Sequence, residues 1–332
     1  MISLGIETSC DDTAIGIVDV QGKILATTRA SQDRVHQIWG GIVPELASRA
    51  HLENIIPVID IALKEAKCTS KDIDIISVAY GPGLIGSLLV GLETAKALTL
   101  AWEKELICVN HLRGHVASVM LAAPEIELPS LGLLVSGGHS EIIFVGPDFS
   151  VKKLAETCDD AAGESLDKFG RVLGFSYPGG PEMDRMTFVG NVNSVNFPQT
   201  RLKDGSLDFS FSGLKTAGIR MYEKHPEIPV ADLAASFMKA VVDQLLDRLL
   251  AATEIVEPKS IFAVGGVASS AYLRDRLTKF GESLGFPIYI PPPSLCTDNG
   301  SMIAYCGLLY HQLGYKSSFD VSPCSRLSII SM

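Results

Sequence analysis

The sequence reads as an α/β chain built from two related lobes with a cleft between them. Three observations lead there. Its 332 residues exceed one average domain and suit two. Strand-like runs and helical periodicities follow one another in an order that starts near residue 2 and starts again near residue 130. Turns rich in small residues leave strands near Glu7, Gly137 and Gly265. Such turns let backbone N–H groups approach phosphate or ribose oxygens with little side chain in the way. Three of them, spread over both halves, suit a nucleotide held between lobes. The expected division is 1–109 for the first lobe, 110–298 for the second, and 316–332 for a polar, poorly ordered tail. A closing helix over 299–315 is expected to pack back on the first lobe.

Residues 2–7, 13–20 and 23–30 read as three strands, with Asp11-Asp12 and Gln21-Gly22 at the turns. Gly40-Gly41 and Pro44 open a long helix to residue 66. Its many apolar positions, among them Leu46, Ile55, Ile56, Val58, Ile59 and Ile61, make either one broad core face or a core face plus a partner-binding stripe. A strand at 74–80, a Gly-Pro-Gly turn, a helix at 84–102 and a strand at 106–109 follow. The second round has strands at 130–136, 140–145 and 151–156, then a helix at 160–173 stopped by Gly174. A polar stretch from 191 to 208 reads as an inserted loop. Helices at 212–223 and 230–255, a strand at 260–264, a helix at 269–284, a strand at 286–290 and the closing helix complete the chain.

Composition sets limits on function. Hydrophobic residues make up 47% and charged residues 20%, which suits a buried core. No run of 18 apolar residues lacks polar interruption, and the N-terminus enters a strand directly, so neither a membrane span nor a targeting segment is expected. Seven cysteines without a CxxC pair suit reduced thiols in the cytoplasm. A net charge of −10 disfavours general nucleic-acid binding, because phosphate contacts supply most of that affinity. A nucleic-acid substrate would need a local basic patch, for which Lys152, Lys153, Arg171, Arg201, Lys203 and Lys215 are candidates beside an ordinary scatter of surface charge.

Five stretches carry chemistry. In His111-Leu-Arg-Gly-His115 the four-residue spacing puts two imidazoles one turn apart on one helix face. That geometry serves two metal ligands, or two partly buried histidines with ordinary hydrogen bonds. Asp298, just before the closing helix, is an N-cap or the carboxylate that completes a His₂–carboxylate set with open positions. Glu7-Thr-Ser-Cys-Asp-Asp-Thr13 is a turn whose carboxylates and hydroxyls suit metal-bound water or phosphate, or merely its own turn hydrogen bonds. Leu134-Val-Ser-Gly-Gly-His-Ser140 exposes successive N–H donors at Gly137 and Gly138, as an anion site or a hairpin. The run from Asp159 to Gly170 places Asp160, Glu164 and Asp167 at helical spacing. With Gly179, Gly180 and Asp184 close behind, it suits ribose hydroxyls, or simply a solvated face.

The motifs ETSCDDT, NHLRGH, LVSGGHS and CTDNGSMIA together resemble the TsaD family of tRNA N6-adenosine threonylcarbamoyltransferases, as do the stretches YGPGL, GFSYPGG and FSFSGLK. The resemblance runs from residue 1 to about residue 315. The SGGHS histidine points to the bacterial or organellar branch, and the expected lack of a transit peptide favours the bacterial one. It implies the two-lobed actin-like ATPase (ASKHA) fold. It also implies transfer of a threonylcarbamoyl group from threonylcarbamoyl-adenylate to N6 of adenosine 37 in tRNAs reading codons that begin with A. The implied cofactor is one divalent metal, iron or zinc, on His111, His115 and Asp298. The adenylate would lie against Leu134, Val135, Ser136, Gly137, Gly138, Asp167, Gly180, Asp184, Gly265 and Gly266. Implied partners are tRNA, the paralogue TsaB through the long N-terminal helix, the ATPase TsaE, and a TsaC-type synthase that supplies the adenylate. Asp11 is the candidate proton acceptor. Two departures stand out. Ser270 replaces the family's usual Asn in the run after Gly265-Gly266, which puts an adenine- or ribose-facing contact there in question. Gly300-Ser301 replaces two alanines, a change expected to be mild.

Three rivals are weighed on the same residues. A metalloprotease would need a general-base Glu where His-Leu-Arg-Gly-His has Leu112. A non-catalytic nucleotide-binding scaffold would not need His111, His115 and Asp298 together. A sugar kinase of the same fold class would phosphorylate a sugar from ATP.

Overall fold

The computed structural model describes residues 1–199 and 205–331. They fall into two compact units, Met1–Pro124 with Thr297–Met332, and Glu125–Cys296.

The first unit is built on a five-stranded sheet. Its strands are β1 (Ile2–Glu7), β2 (Asp12–Asp19), β3 (Ile24–Ser31), β4 (Ile75–Gly81) and β5 (Glu105–Asn110), in the order β3-β2-β1-β4-β5. The first three form an antiparallel meander, and β4 and β5 add in parallel after helical crossovers. Strands β1, β4 and β5 are buried on both faces, as their dense Ile, Val and Leu content demands. A short helix that the sequence reading does not contain, α1 (Asp33–Gln37), precedes α2 (Pro44–Ala66), whose N-terminal Pro44 has a fixed φ suited to a helix start. Helix α3 (Ile85–Trp102) lies on β4 and α2. It is the one helix among the described residues with the length and hydropathy of a span, 18 residues at 1.2. One face of it, Leu88, Leu92 and Ala95, is fully buried in the unit's core. Helix α4 (His111–Ala122) follows β5 without a loop, because the Asn110 side chain caps it by accepting the Leu112 N–H at 3.0 Å.

The second unit repeats the pattern. Strands β6 (Ser130–Val135), β7 (Ser140–Val145), β8 (Val151–Glu156), β9 (Ser260–Val264) and β10 (Ile288–Tyr289) form a sheet ordered β10-β9-β6-β7-β8. Again three consecutive strands are antiparallel and the later ones parallel. Helices α5 (Ala162–Val172), α6 (Gly180–Met186), α7 (Ser212–Lys224), α8 (Val230–Thr253), α9 (Ala271–Leu284) and α10 (Pro293–Cys296) complete it. Phe169, Phe209, Phe211 and Phe237 sit at the centre of its core.

The chain then returns to the first unit with α11 (Gly300–Gln312), which packs on β1, β2 and β4 and on α4. This alters the division expected from sequence. The boundary placed at 109/110 falls at 124/125, and residues from Thr297 onward join the first unit. The reason is that α4 packs against α11 and β5, so the whole His111–His115 helix stays with the strand it leaves. The Gly300 change is also tighter than expected. A Cβ there would lie 2.0 Å from the Gly16 N and 2.2 Å from the Ile15 carbonyl carbon. The start of α11 therefore rests backbone to backbone on β2.

The tail differs from expectation as well. Cys324 N–H donates to the Tyr80 carbonyl (2.8 Å), and the Ser325 carbonyl accepts from Gly83 N–H (3.3 Å). The carbonyls of Ser328 and Ser331 accept from Asn110 Nδ2, and that of Ile329 accepts from Arg113 Nε. Ile329 is fully buried. Specific acceptors for two polar side chains of the β5–α4 junction hold down a segment whose composition alone reads as loose.

Candidate functional site

The β5–α4 junction presents His111 as the first residue of α4 and His115 one turn on, their ring centroids 4.8 Å apart and nearly perpendicular. Asp298 arrives from the other end of the unit. It is not the N-cap of α11. That role belongs to Asn299, whose side chain accepts the Met302 N–H at 2.9 Å and so leaves the Asp298 carboxylate free to turn toward the imidazoles. Its Oδ1 lies 3.2 Å from His115 Nε2 and 3.6 Å from His111 Nε2. One ligand atom from each of the three falls within 4.8 Å of the others.

Two features make this set fit a divalent cation. His115 is fully buried, yet among the described residues neither of its ring nitrogens has a well-aligned hydrogen-bond partner. A buried polar atom left so is costly, and its 3.2 Å approach to Asp298 lacks hydrogen-bond alignment. The two separations from Asp298 to the imidazoles are also those of ligands to a shared ion. Two donors about 2.1 Å from one centre at a tetrahedral angle stand about 3.4 Å apart.

His111 is held from behind. Its Nδ1 is 2.8 Å from Glu7 Oε2 and 3.1 Å from Ser9 Oγ, and Glu7 Oε1 accepts the Ser9 N–H at 2.6 Å. Glu7, at the end of β1, is fully buried. Sequence reasoning had only grouped it with the carboxylates of its turn. The available signal was the one charged residue of a strand that is otherwise uncharged and buried. Burial disfavours the charged form of His111, but Glu7 and Asp298 outweigh it and push its pKa up to about 9. Burial likewise opposes ionisation of Asp298. The neighbouring His111 and His115 win, holding its carboxyl well below the usual range.

Asp11 lies in the β1–β2 turn of the same unit, and its carbonyl accepts the Gln32 N–H. Burial, then the negative charge of Asp298, raises its carboxyl above the ordinary value. Asp12 is pushed to about 7 by burial, partly offset by Arg29 at 3.0 Å.

The other candidate residues all lie in the second unit. Leu134 and Val135 are buried in β6, and Ser136-Gly137-Gly138 turns the chain into β7. The turn is closed by Ser136 N–H to the His139 carbonyl (2.8 Å) and His139 N–H to Ser136 Oγ (3.1 Å). In the parallel β6–β9 pair Leu134 stands beside Val264, so the Gly265 turn comes to rest on Val135. Gly265 has φ +92° and a Cβ there would be 2.3 Å from the Val135 carbonyl oxygen, which only glycine tolerates. By contrast, a Cβ on Gly137, Gly138 or Gly266 would meet nothing within 4 Å. Packing does not require glycine at these three positions; they leave open space beside the strand ends.

Asp167 and Asp184 have local duties. Asp167 Oδ1 accepts the Gly180 N–H (2.9 Å), tying α5 to α6. Asp184 accepts from Ser270 Oγ (2.5 Å) and from the Ala271 and Tyr272 N–H groups (both 3.0 Å) at the start of α9. Ser270 also accepts the Leu273 N–H at 3.0 Å and is the N-cap of that helix. Its single proton is thus committed to Asp184. Among the basic candidates, Lys153 pairs with Glu156 and Lys215 with Asp160. Lys152 is exposed, and Arg201 and Lys203 lie outside the described residues.

Two α/β units of matching topology, one with a His₂–carboxylate set and one with open glycine turns, define an actin-like (ASKHA) protein. Solved structures agree on the fold. HypF from T. kodakarensis superposes with a TM-score of 0.64 at 15% identity, over 94% of this chain and 47% of that one. Component A of (R)-2-hydroxyglutaryl-CoA dehydratase from Acidaminococcus fermentans gives 0.56 at 15% identity, over 93% and 97%. The family model for tRNA N6-adenosine threonylcarbamoyltransferase, TsaD, matches residues 23–305. The enzyme of that name from Dictyoglomus turgidum is 46% identical over 326 residues, 97% of each chain. The one from Thermosipho africanus is 44% identical over 331 residues, 99% of this chain and all of that one. The chain belongs to the TsaD family.

Proposed function

We propose that this chain moves a threonylcarbamoyl group from its adenylate to N6 of adenosine 37 in tRNAs reading codons that begin with A. Membership in the TsaD family makes the chain a transferase of t6A biosynthesis with tRNA as its acceptor substrate. The observation that carries the site assignment is the convergence of His111, His115 and Asp298 with both His115 nitrogens buried and unbonded.

In the transfer, the adenine N6 forms a bond to the carbamoyl carbon. The bond from that carbon to the AMP phosphate oxygen breaks, AMP leaves as an anion, and N6 gives up one proton. No enzyme nucleophile is needed, because AMP is already a good leaving group. His111, His115 and Asp298 would hold one divalent metal, iron or zinc. When bound, such a cation supplies Lewis-acid polarisation of a carbonyl oxygen. Asp11, whose carboxyl burial and the charge of Asp298 raise above its ordinary value, is the acceptor proposed for the N6 proton. Gly137, Gly138 and Gly266 leave room for the adenylate, and their backbone N–H groups suit its phosphate. Leu134, Val135 and Gly265 fix those turns. Ser136 closes the first of them, Asp167 and Gly180 set α5 against α6, and Asp184 with Ser270 sets the start of α9.

The exposed faces of α2 and α3 support a partner helix. Leu52, Ile56 and Ile61 on α2, and Ile85 and Leu89 on α3, are all more than two-fifths exposed. We assign this stripe to the paralogue TsaB, with the ATPase TsaE as a further partner and a TsaC-type synthase supplying the adenylate in the cytoplasm. The test is reconstitution. The chain is mixed with unmodified tRNA and threonylcarbamoyl-adenylate, with and without TsaB and TsaE, and digested nucleosides are analysed by mass spectrometry. t6A formation is expected in the complete mixture. Its absence there, with a relative's enzyme active in parallel, overturns the proposal. A sugar panel with ATP and a glycoprotein substrate, run alongside, would expose a kinase or protease.

A further inference from the structure

We infer that Glu7 is a positioning residue that dictates which nitrogen of His111 is offered to a metal. The inference rests on the reading that His111, His115 and Asp298 bind a divalent cation. It starts from the two Glu7 oxygens, each of which faces a separate donor. Oε1 takes the Ser9 N–H at 2.6 Å and Oε2 faces His111 Nδ1 at 2.8 Å. An ionised carboxylate only accepts hydrogen bonds. The proton of a neutral His111 must therefore sit on Nδ1, which leaves the lone pair on Nε2, the nitrogen that faces Asp298. Glu7 is fully buried, so bulk solvent does not reach either oxygen. Ser9 Oγ, 3.1 Å from the same Nδ1, donates or accepts equally well and cannot make the choice. His115 has no such backing residue, so its tautomer is left to the ion.

The chemistry of an amide at position 7 makes this testable. Glu7→Gln keeps the shape but has one acceptor and one donor end. If its oxygen stays on the Ser9 N–H, its NH₂ group faces His111 Nδ1. The imidazole must then accept at Nδ1 and carry its proton on Nε2, where a metal would bind. Turned the other way, the amide leaves the buried Ser9 N–H against a donor. Ser9→Ala removes the uncommitted contact and leaves the carboxylate in place.

The experiment measures zinc affinity of the purified full chain by competition with a chromophoric chelator, for the parent, Glu7→Gln and Ser9→Ala, with thermal melts of each metal-free protein. Glu7→Gln should weaken zinc about 10–100-fold, the range for loss of a carboxylate behind a histidine ligand. Ser9→Ala should stay within about threefold of the parent. Long-range nitrogen–proton NMR of the zinc-loaded parent should show His111 ligated through Nε2 and protonated at Nδ1, an observation that needs no variant. Zinc affinity of Glu7→Gln equal to that of the parent, or a His111 ligated through Nδ1, overturns the assignment. A parent chain that binds no zinc, iron or other divalent ion overturns the metal reading itself.

Discussion

The backbone contact between β1 and α11 invites a sharp perturbation, Gly5→Ala. A Cβ at position 5 would lie 2.2 Å from the Gly300 carbonyl oxygen, 2.3 Å from the Ala304 N and 2.8 Å from the Ala304 Cα. Ordinary contact begins near 3.5 Å, so α11 has to retreat by about 1 Å. No side chain can rotate away, because every atom met is backbone. Overpacking of this kind costs about 1–3 kcal/mol. In a cooperative unit of about 160 residues, each kcal/mol lowers the midpoint by roughly 2–4 °C, so a fall of roughly 2–12 °C is expected. The same retreat carries Asp298, two residues before the helix, away from His111 and His115. Metal affinity should therefore drop with stability. Scanning calorimetry and chelator competition on the same samples check both, with Gly137→Ala, whose Cβ meets nothing within 4 Å, as the control. A Gly5→Ala protein that melts within about 1 °C of its parent and keeps its zinc would show that the helix does not rest on β1 as described.

Asp298→Ala should abolish stoichiometric metal in elemental analysis and lower t6A formation by more than about 100-fold, beyond the effect of losing an outer partner; retained metal would refute the ligand set. Gly138→Val should weaken adenylate binding at least tenfold in calorimetric titration without shifting the melt, since its side chain enters open space; unchanged affinity removes that turn from the nucleotide site. Glu141 is buried on β7 with an unbonded Oε2, and burial pushes its carboxyl up to about 7, with Lys153 opposing. The folded state thus binds the extra proton, so stability should fall as pH rises from about 4.5 to about 7 and level off above. Glu141→Gln should escape that fall, gaining on the parent by up to about 3 kcal/mol at pH 8, and a gap that stays constant across pH in thermal melts would refute the account.

What the sequence disclosed follows from the range of the forces involved. Doubly buried strands announce themselves by short runs dense in Ile, Val and Leu. The His111–His115 spacing shows one helix face because helical geometry is local. Asp298 was legible as a candidate, but its choice between capping and turning toward the imidazoles depended on Asn299 next to it, and two adjacent residues of similar capping power look alike in a sequence. The unit boundary was misplaced because α4 is held by α11, nearly two hundred residues later, and no local pattern reports such a contact. Glu7 was hidden for the same reason: its meaning comes from His111, which reaches it only through the β1–β4–β5 sheet. Ser270 read as a weakened ligand contact, yet its short hydroxyl is what a helix N-cap uses.

The last residues of the chain deserve to be thought of as part of the metal helix's mounting. Asn110 and Arg113 flank and interrupt the imidazole pair, and both hand their N–H groups to carbonyls between Ser328 and Ser331. Trimming that end, or hanging cargo from it, would take carbonyl acceptors from Asn110 and Arg113 without touching His111, His115 or Asp298.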